Sequence, residues 1–242
     1  PEAFEQCCLG WVRSLREDFK GASIAIDGKT LRRSFDRAEN LRPLHVLSVW
    51  CGEHNLILGQ TAVDVKGNEI NALPETIEKL NIKGATVSID AAGCQRAIAT
   101  VIRKKKADYV LALKGNQGHL NDDVRSLFEA CVAKDFNGVA HSFYETHDQR
   151  HGRRDHRQYY VVEAPSDVRN VSLWRDLQTV CMVISVVMQG GKTTTERRYY
   201  IGSLPCDARR VARSIRSHWS VENNLHWVLD VVFREDDSRI RK

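Results

Sequence analysis

The sequence predicts an α/β protein built on a mixed sheet flanked by helices. Short apolar runs rich in β-branched residues recur at Ala22–Ile26, Leu44–Cys51, Leu56–Val63, Thr86–Ile89 and Tyr109–Leu113. Helical-period segments at 69–80 and Gln95–Lys105 separate the later runs. The resulting order, three strands and then alternating helix and strand, reads as an antiparallel meander continued by parallel crossings.

Each element has its own signal. Phe4, Cys8, Trp11, Val12 and Leu15 space an amphipathic stretch over residues 3–19. Gly21 opens the first strand, which is expected to end at Asp27. Gly52-Glu-His-Asn55 reads as a hairpin connection. Pro74 must sit near the first turn of its helix or bend it. Residues 119–134 read as a further helix. His141 to Leu204 is β-rich, with runs at Tyr159–Val162, Thr179–Val187 and Arg198–Ile201 and a Gly190-Gly191 turn. Asp207 is an N-cap candidate for a helix through Val211, Ala212 and Ile215. Ser220 is a second, for a last helix with Leu225, Val228, Leu229 and Val232 inward.

Composition narrows the function classes. With 42% hydrophobic and 28% charged residues, the 242-residue chain can bury a core and is not a disordered segment. No run approaches the ~18 apolar residues of a membrane span, and no signal peptide is visible, so a cytoplasmic location without membrane contact is expected. Neither G-x-G-x-x-G nor a Walker motif is present, which argues against a nucleotide-cofactor enzyme. The seven cysteines are scattered without C-x-x-C spacing and read as reduced thiols. A net charge of +5 permits a nucleic-acid partner.

Three carboxylates stand out by position. Asp27 ends one apolar run and Asp90 another, each followed by small residues, Gly28 and Ala91-Ala92-Gly93. Buried strand ends hold carboxylates only with partners, and a divalent cation is one such partner. Turn or helix capping is the other use of Asp at such positions. Glu222 falls in the first turn of the last helix if Ser220 caps it, where a helix dipole also favours an acid. Asn223 and His226 would lie on neighbouring turns, placed to orient a carboxylate or a water. Glu235, Asp236 and Asp237 read as a solvated charged end.

At these residues the sequence resembles the H-repeat-associated family of DDE-type insertion-sequence transposases. The resemblance is carried by Ala25-Ile-Asp-Gly-Lys-Thr-Leu-Arg32, Ile89-Asp-Ala-Ala-Gly-Cys-Gln95, Leu113-Lys-Gly-Asn-Gln-Gly118, His151-Gly-Arg153, Arg198-Tyr-Tyr-Ile201 and the stretch from His218 to Val231. Their order and spacing cover nearly the whole chain. The resemblance implies a ribonuclease H-like mixed sheet with a β-rich insertion, residues 142–204, before the last catalytic helix. It implies a catalytic domain over 21–242, preceded by the end of an N-terminal region at 1–20. It further implies cleavage and strand transfer of double-stranded DNA by Asp27, Asp90 and Glu222, holding Mg²⁺ or Mn²⁺, in a homo-oligomer on DNA. The wider group carries Tyr, Arg and Lys around its Glu, where this chain has Ile215, His218 and Leu229. Tyr199 and Tyr200 read as strand packing residues, not recombinase nucleophiles. The alternatives are an inactive DNA-binding remnant and a nuclease of the same fold. A start without Met and an abrupt charged end lead us to expect a fragment that folds but transposes poorly.

Basic and polar positions supply the expected DNA contacts. Lys29, Arg32 and Arg33 follow the first Asp, and Lys114 and Gln117 follow the fifth strand. Arg150, His151, Arg153, Arg154 and Arg157 form the densest cluster. Arg213 lies among the arginines of the penultimate helix, and His218, Asn223 and His226 surround Glu222. Cations on one face would bind phosphates without reading sequence.

Overall fold

A computed structural model describes residues 19–36, 40, 42–63, 69–150 and 152–239, together with the isolated helical residues 3, 7, 10, 11 and 14. His151, most of 1–18 and the last three residues therefore lie outside the described part. The described strands and helices make a mixed α/β structure in two compact units, residues 1–108 with 214–242, and residues 109–213.

In the first unit, β1 (Ser23–Thr30), β2 (His45–Cys51), β3 (Leu56–Val63) and β4 (Thr86–Ile89) lie in the order β3-β2-β1-β4. The β1–β4 pair is parallel; the two other pairs are antiparallel. Helices α1 (Glu69–Glu78) and α2 (Arg96–Lys104) bury Leu73 and Ile77, and Ile98 and Ile102. Ile24, Ile26, Leu47, Val49 and Val87 are buried in the strands. Pro74 sits inside α1, beyond the first turn, so the Ile70 carbonyl loses its backbone donor.

Two expectations change here. β1 does not end at Asp27; it stays paired with β2 through Thr30–His45. Only its β4 side ends there, at Ile26–Ile89. Nor does Ser220 start a helix. Asp207 caps α4 (Ala208–Ser220) by accepting the Arg209 and Arg210 N–H groups at 3.0 and 3.1 Å. The chain then stays helical through a π segment, Val221–His226, into α5 (Trp227–Val231). Ser220 has right-handed helical dihedrals and its hydroxyl donates back to the Ser217 carbonyl at 2.6 Å.

The second unit holds all but the first residue of β5 (Asp108–Leu113), helix α3 (Gly118–Ala133) and β6 (His141–Arg150), β7 (Arg153–Glu163), β8 (Thr179–Gln189) and β9 (Lys192–Gly202). These strands run in the order β5-β9-β8-β7-β6, all antiparallel. Gly190 and Gly191, both at positive φ, turn β8 into β9 as expected. Tyr200 is buried, and Tyr199 stacks on Phe128 at 6.1 Å, which fits packing roles for both. No helix among the described residues is long and apolar enough to cross a membrane.

Candidate active site

The parallel register places the first two acids. Ile26 is the last β1 residue paired with β4, opposite Ile89. Asp27, still within β1, and Asp90, just past β4, follow directly, so they lie at the same level on neighbouring stretches of chain whose strands are ~4.8 Å apart. Side chains alternate along a strand, so Asp27 shares a face with Ala25. Ala25 packs with Trp50, Val221 and Leu225, the last two from the π segment. The face of β1 that carries Asp27 is thus covered by the helical segment that carries Glu222. The Trp50 indole N–H donates to Ser220 Oγ at 3.1 Å and pins that segment to β2.

The π turn is where the helix was expected to begin. Trp227 N–H bonds the Glu222 carbonyl five residues back. The Asn223 amide donates to the Trp219 carbonyl at 2.9 Å, which ties it to the helix backbone. Glu222 is exposed, as is Asp90, whose Oδ1 accepts the Gly93 N–H at 3.2 Å.

Asp27 is the buried member. Burial raises its carboxyl to about 7; the Gly28 N–H opposes this, while the charges of Asp90, Glu222 and Glu69 add to it. His226 Nδ1 stands 3.5 Å from Asp27 Oδ2, and its Nε2 is buried without a hydrogen bond. Burial, and then the nearby Lys29 charge, holds His226 below the usual histidine range against Asp230 and Glu235. Burial also lowers His218, against the pull of Asp90 and a bond to the Ser88 backbone, and leaves its Nδ1 without a partner. A buried acid facing two others, beside neutral imidazoles with open nitrogens, is a donor set suited to a hard divalent cation. The set is open: the oxygens of Asp27, Asp90 and Glu222 are not all within 4.8 Å of one another, unlike the tighter groups elsewhere in the chain.

Other predicted contacts are placed differently. Lys29 is nearly buried and its Nζ meets Asp230 at 2.6 Å, Glu235 at 2.8 Å and Asp236 at 3.4 Å. Arg32 pairs with Asp236 and Arg33 with Asp237, both at 3.2 Å. The acidic end read as solvated is therefore the counter-charge of these three cations, and Lys29 in particular is not open to phosphate. In the second unit, Lys114 and Arg154 are exposed and Gln117 closes a short 3₁₀ turn. Arg153 is tied to Asp155 at 2.9 Å, and Arg157 to Asp148 and Asp155 at 2.9 and 3.1 Å. Arg213 is exposed on α4.

Sequence reasoning missed Asp230, Glu69 and His45. Buried His45 bonds Thr30 Oγ1 through Nδ1 at 2.8 Å, and its Nε2 lies against Glu69 Oε1, off the line of a hydrogen bond. A Cβ on Gly28 would fall 2.5 Å from His45 Nε2 and 2.7 Å from Glu69 Oε1, so any larger residue after Asp27 would have to displace both side chains. Gly93 is as constrained, since a Cβ there would lie 2.2 Å from Ile89 Cγ2 and 3.2 Å from Leu73 Cδ1. Gly93→Ala should cost roughly 1–3 kcal/mol in urea melts, because the buried Ile89 and Leu73 must shift.

The mixed α/β fold is consistent with the family that the sequence matches. The profile of the family described as "Transposase DDE domain" matches residues 19–242, so the chain belongs to the DDE-domain transposases. Relatives from Escherichia coli K12 include "Putative protein YbfL", 39% identical, and "H repeat-associated putative transposase YhhI", 38% identical; each alignment covers 100% of this chain and 65% of the relative. "Putative transposase YncI" of Escherichia coli O157:H7 is 39% identical over 99% of this chain and 62% of its own length. The chain thus spans just under two thirds of these relatives.

Proposed function

We propose that this chain is the DNA-cutting and strand-joining core of an insertion-sequence transposase, with Asp27, Asp90 and Glu222 as its catalytic and cation-binding carboxylates. The observation that carries this reading is the register: Ile26–Ile89 pairing sets Asp27 and Asp90 side by side, and the segment carrying Glu222 packs on the Asp27 face. A ribonuclease H-like core over 21–242, interrupted by the β-rich 142–204 stretch, is the fold that this reading gives the chain. Residues 1–20 would then close an N-terminal region. The partners are double-stranded element ends and target DNA, held by a homo-oligomer in the bacterial cytoplasm.

The three acids would hold Mg²⁺ or Mn²⁺, which when bound supplies Lewis-acid stabilisation of the phosphate and lowers the pKa of the attacking hydroxyl or water. Without a cation Asp27 keeps its proton up to about pH 7, and a bound cation would offset its burial and its acidic neighbours and so favour the charged form. His226 Nδ1, 3.5 Å from Asp27 Oδ2, would steady that carboxylate. The Gly93 N–H does the same for Asp90. Glu222, exposed on the π turn, would complete the cation-binding set once DNA is bound, since acids of this kind are often loosely set beforehand. Arg154, Lys114 and Arg213 are exposed cations suited to phosphate. Lys29 holds the acidic end against β1 instead.

Nicking of supercoiled DNA bearing element ends, in Mn²⁺, tests this reading. Asp90→Asn should lower the rate by about 100-fold or more with its melting curve intact. A joined product would distinguish a transposase from a nuclease of the same fold. Asp90→Asn nicking at the wild-type rate would remove Asp90 from the chemistry.

A further inference from the structure

Outside the acidic site, the β6–β7 hairpin holds a second set of converging ligands, contained wholly in the second unit. His147 and His156 are direct cross-strand partners, and Glu145 precedes His147 by two residues on the same face. The two imidazole rings stack at 4.2 Å between centroids, only 10° from parallel. Both Nε2 atoms turn toward one carboxylate: His156 Nε2 is 2.9 Å from Glu145 Oε2, and His147 Nε2 is 3.7 Å from Glu145 Oε1. All the donor atoms of this set lie within 4.8 Å of one another.

The setting favours a held geometry over a chance surface contact. β7 pairs with β6 on one side and β8 on the other, so the ladder fixes both histidine backbones. On the opposite face Arg157 bridges Asp148 and Asp155, which ties the same rungs together. Glu145 and His147 remain open to solvent, so an ion can reach them. The other compact group, Cys51, Glu53 and His54, is less available, because Glu53 Oε2 already accepts the Ser23 N–H at 3.1 Å and Cys51 is buried.

We infer that Glu145, His147 and His156 form a transition-metal site on this hairpin, for a cation of the Zn²⁺, Co²⁺ or Ni²⁺ class. Two imidazole nitrogens and one carboxylate suit these ions, whereas the all-oxygen preference of Mg²⁺ matches the acidic site. Binding replaces the Nε2 protons, which pass to Nδ1 or to solvent, and leaves at least one coordination position for water. The ion would cross-link β6 to β7 and add positive charge beside Arg154, which lies two residues from His156 on the same face of β7.

Co²⁺ titration in excess Mg²⁺, followed by visible absorption, tests the site independently of DNA chemistry, with Mg²⁺ occupying the oxygen ligands. Wild-type protein should take up one Co²⁺ with the bands of imidazole ligation. His147→Gln and His156→Gln should each weaken uptake roughly tenfold or more. His141→Gln, on the same strand but outside the cluster, should leave it unchanged. Glu145→Gln keeps the fold by conserving shape, so weaker uptake there separates ligation from misfolding. No imidazole-type band in wild type, or equal uptake by wild type and His147→Gln, would overturn the site.

Discussion

Asp27→Asn should abolish DNA cleavage and yet stabilise the metal-free protein at pH 8. The Asp27 carboxyl is raised from 3.8 to about 7 in the fold, with burial as the largest cause. Between these values the folded state holds a proton that the unfolded chain has released. Stability from this group is complete below pH ~4 and is lost as pH rises through about 7. A shift of this size corresponds to roughly 4 kcal/mol at most, so a gain of about 2–4 kcal/mol is expected for the neutral amide at pH 8. At pH 4 the two proteins should differ little. Urea melts with a chelator at both pH values measure this. Adding Mn²⁺ should restore the wild type and leave Asp27→Asn unmoved. A variant less stable than wild type at pH 8 would show that Asp27 is charged and satisfied without a cation.

The second large effect is expected at Lys29. Its ammonium is nearly buried and is shared by Asp230, Glu235 and Asp236. Lys29→Met leaves three partly buried carboxylates facing one another without a counter-charge. Removing one partner from a buried network costs about 3–5 kcal/mol, less where water reaches the acids, so a loss of roughly 2–4 kcal/mol is expected. Removing an acid as well, in Lys29→Met with Asp236→Asn, should recover part of it. Equal urea midpoints for wild type and Lys29→Met would mean the acids are solvated, as the bare sequence suggests.

How much was legible follows from which interactions are local. The matching positions of Asp27 and Asp90 were legible because each follows an apolar strand run, and strand pairing then sets them level. The β8–β9 turn was legible because Gly190-Gly191 supplies the positive φ it needs. The π segment was not, because Ser220 followed by Glu222 has the pattern of an N-cap. The contacts that override it, Trp50 with Ser220 and Ala25 with Val221, come from more than 150 residues away. Lys29 and its acids are 201 to 207 residues apart, so each read alone as a solvated charge. The crowding at Gly28 arises only when His45 and Glu69 are brought over it.

If Asp27, Asp90 and Glu222 act as one cation-binding set, Mn²⁺ calorimetry at pH 8 shows it most directly. Wild type, Asp27→Asn, Asp90→Asn and Glu222→Gln would be compared with the hairpin histidines intact in all four. Each substitution should weaken Mn²⁺ binding about tenfold or more, or remove it, with Glu222→Gln showing its full effect once element-end DNA is present. Glu222→Gln binding Mn²⁺ as tightly as wild type on that DNA, or Asp27→Asn doing so without it, would contradict a site built from the three acids.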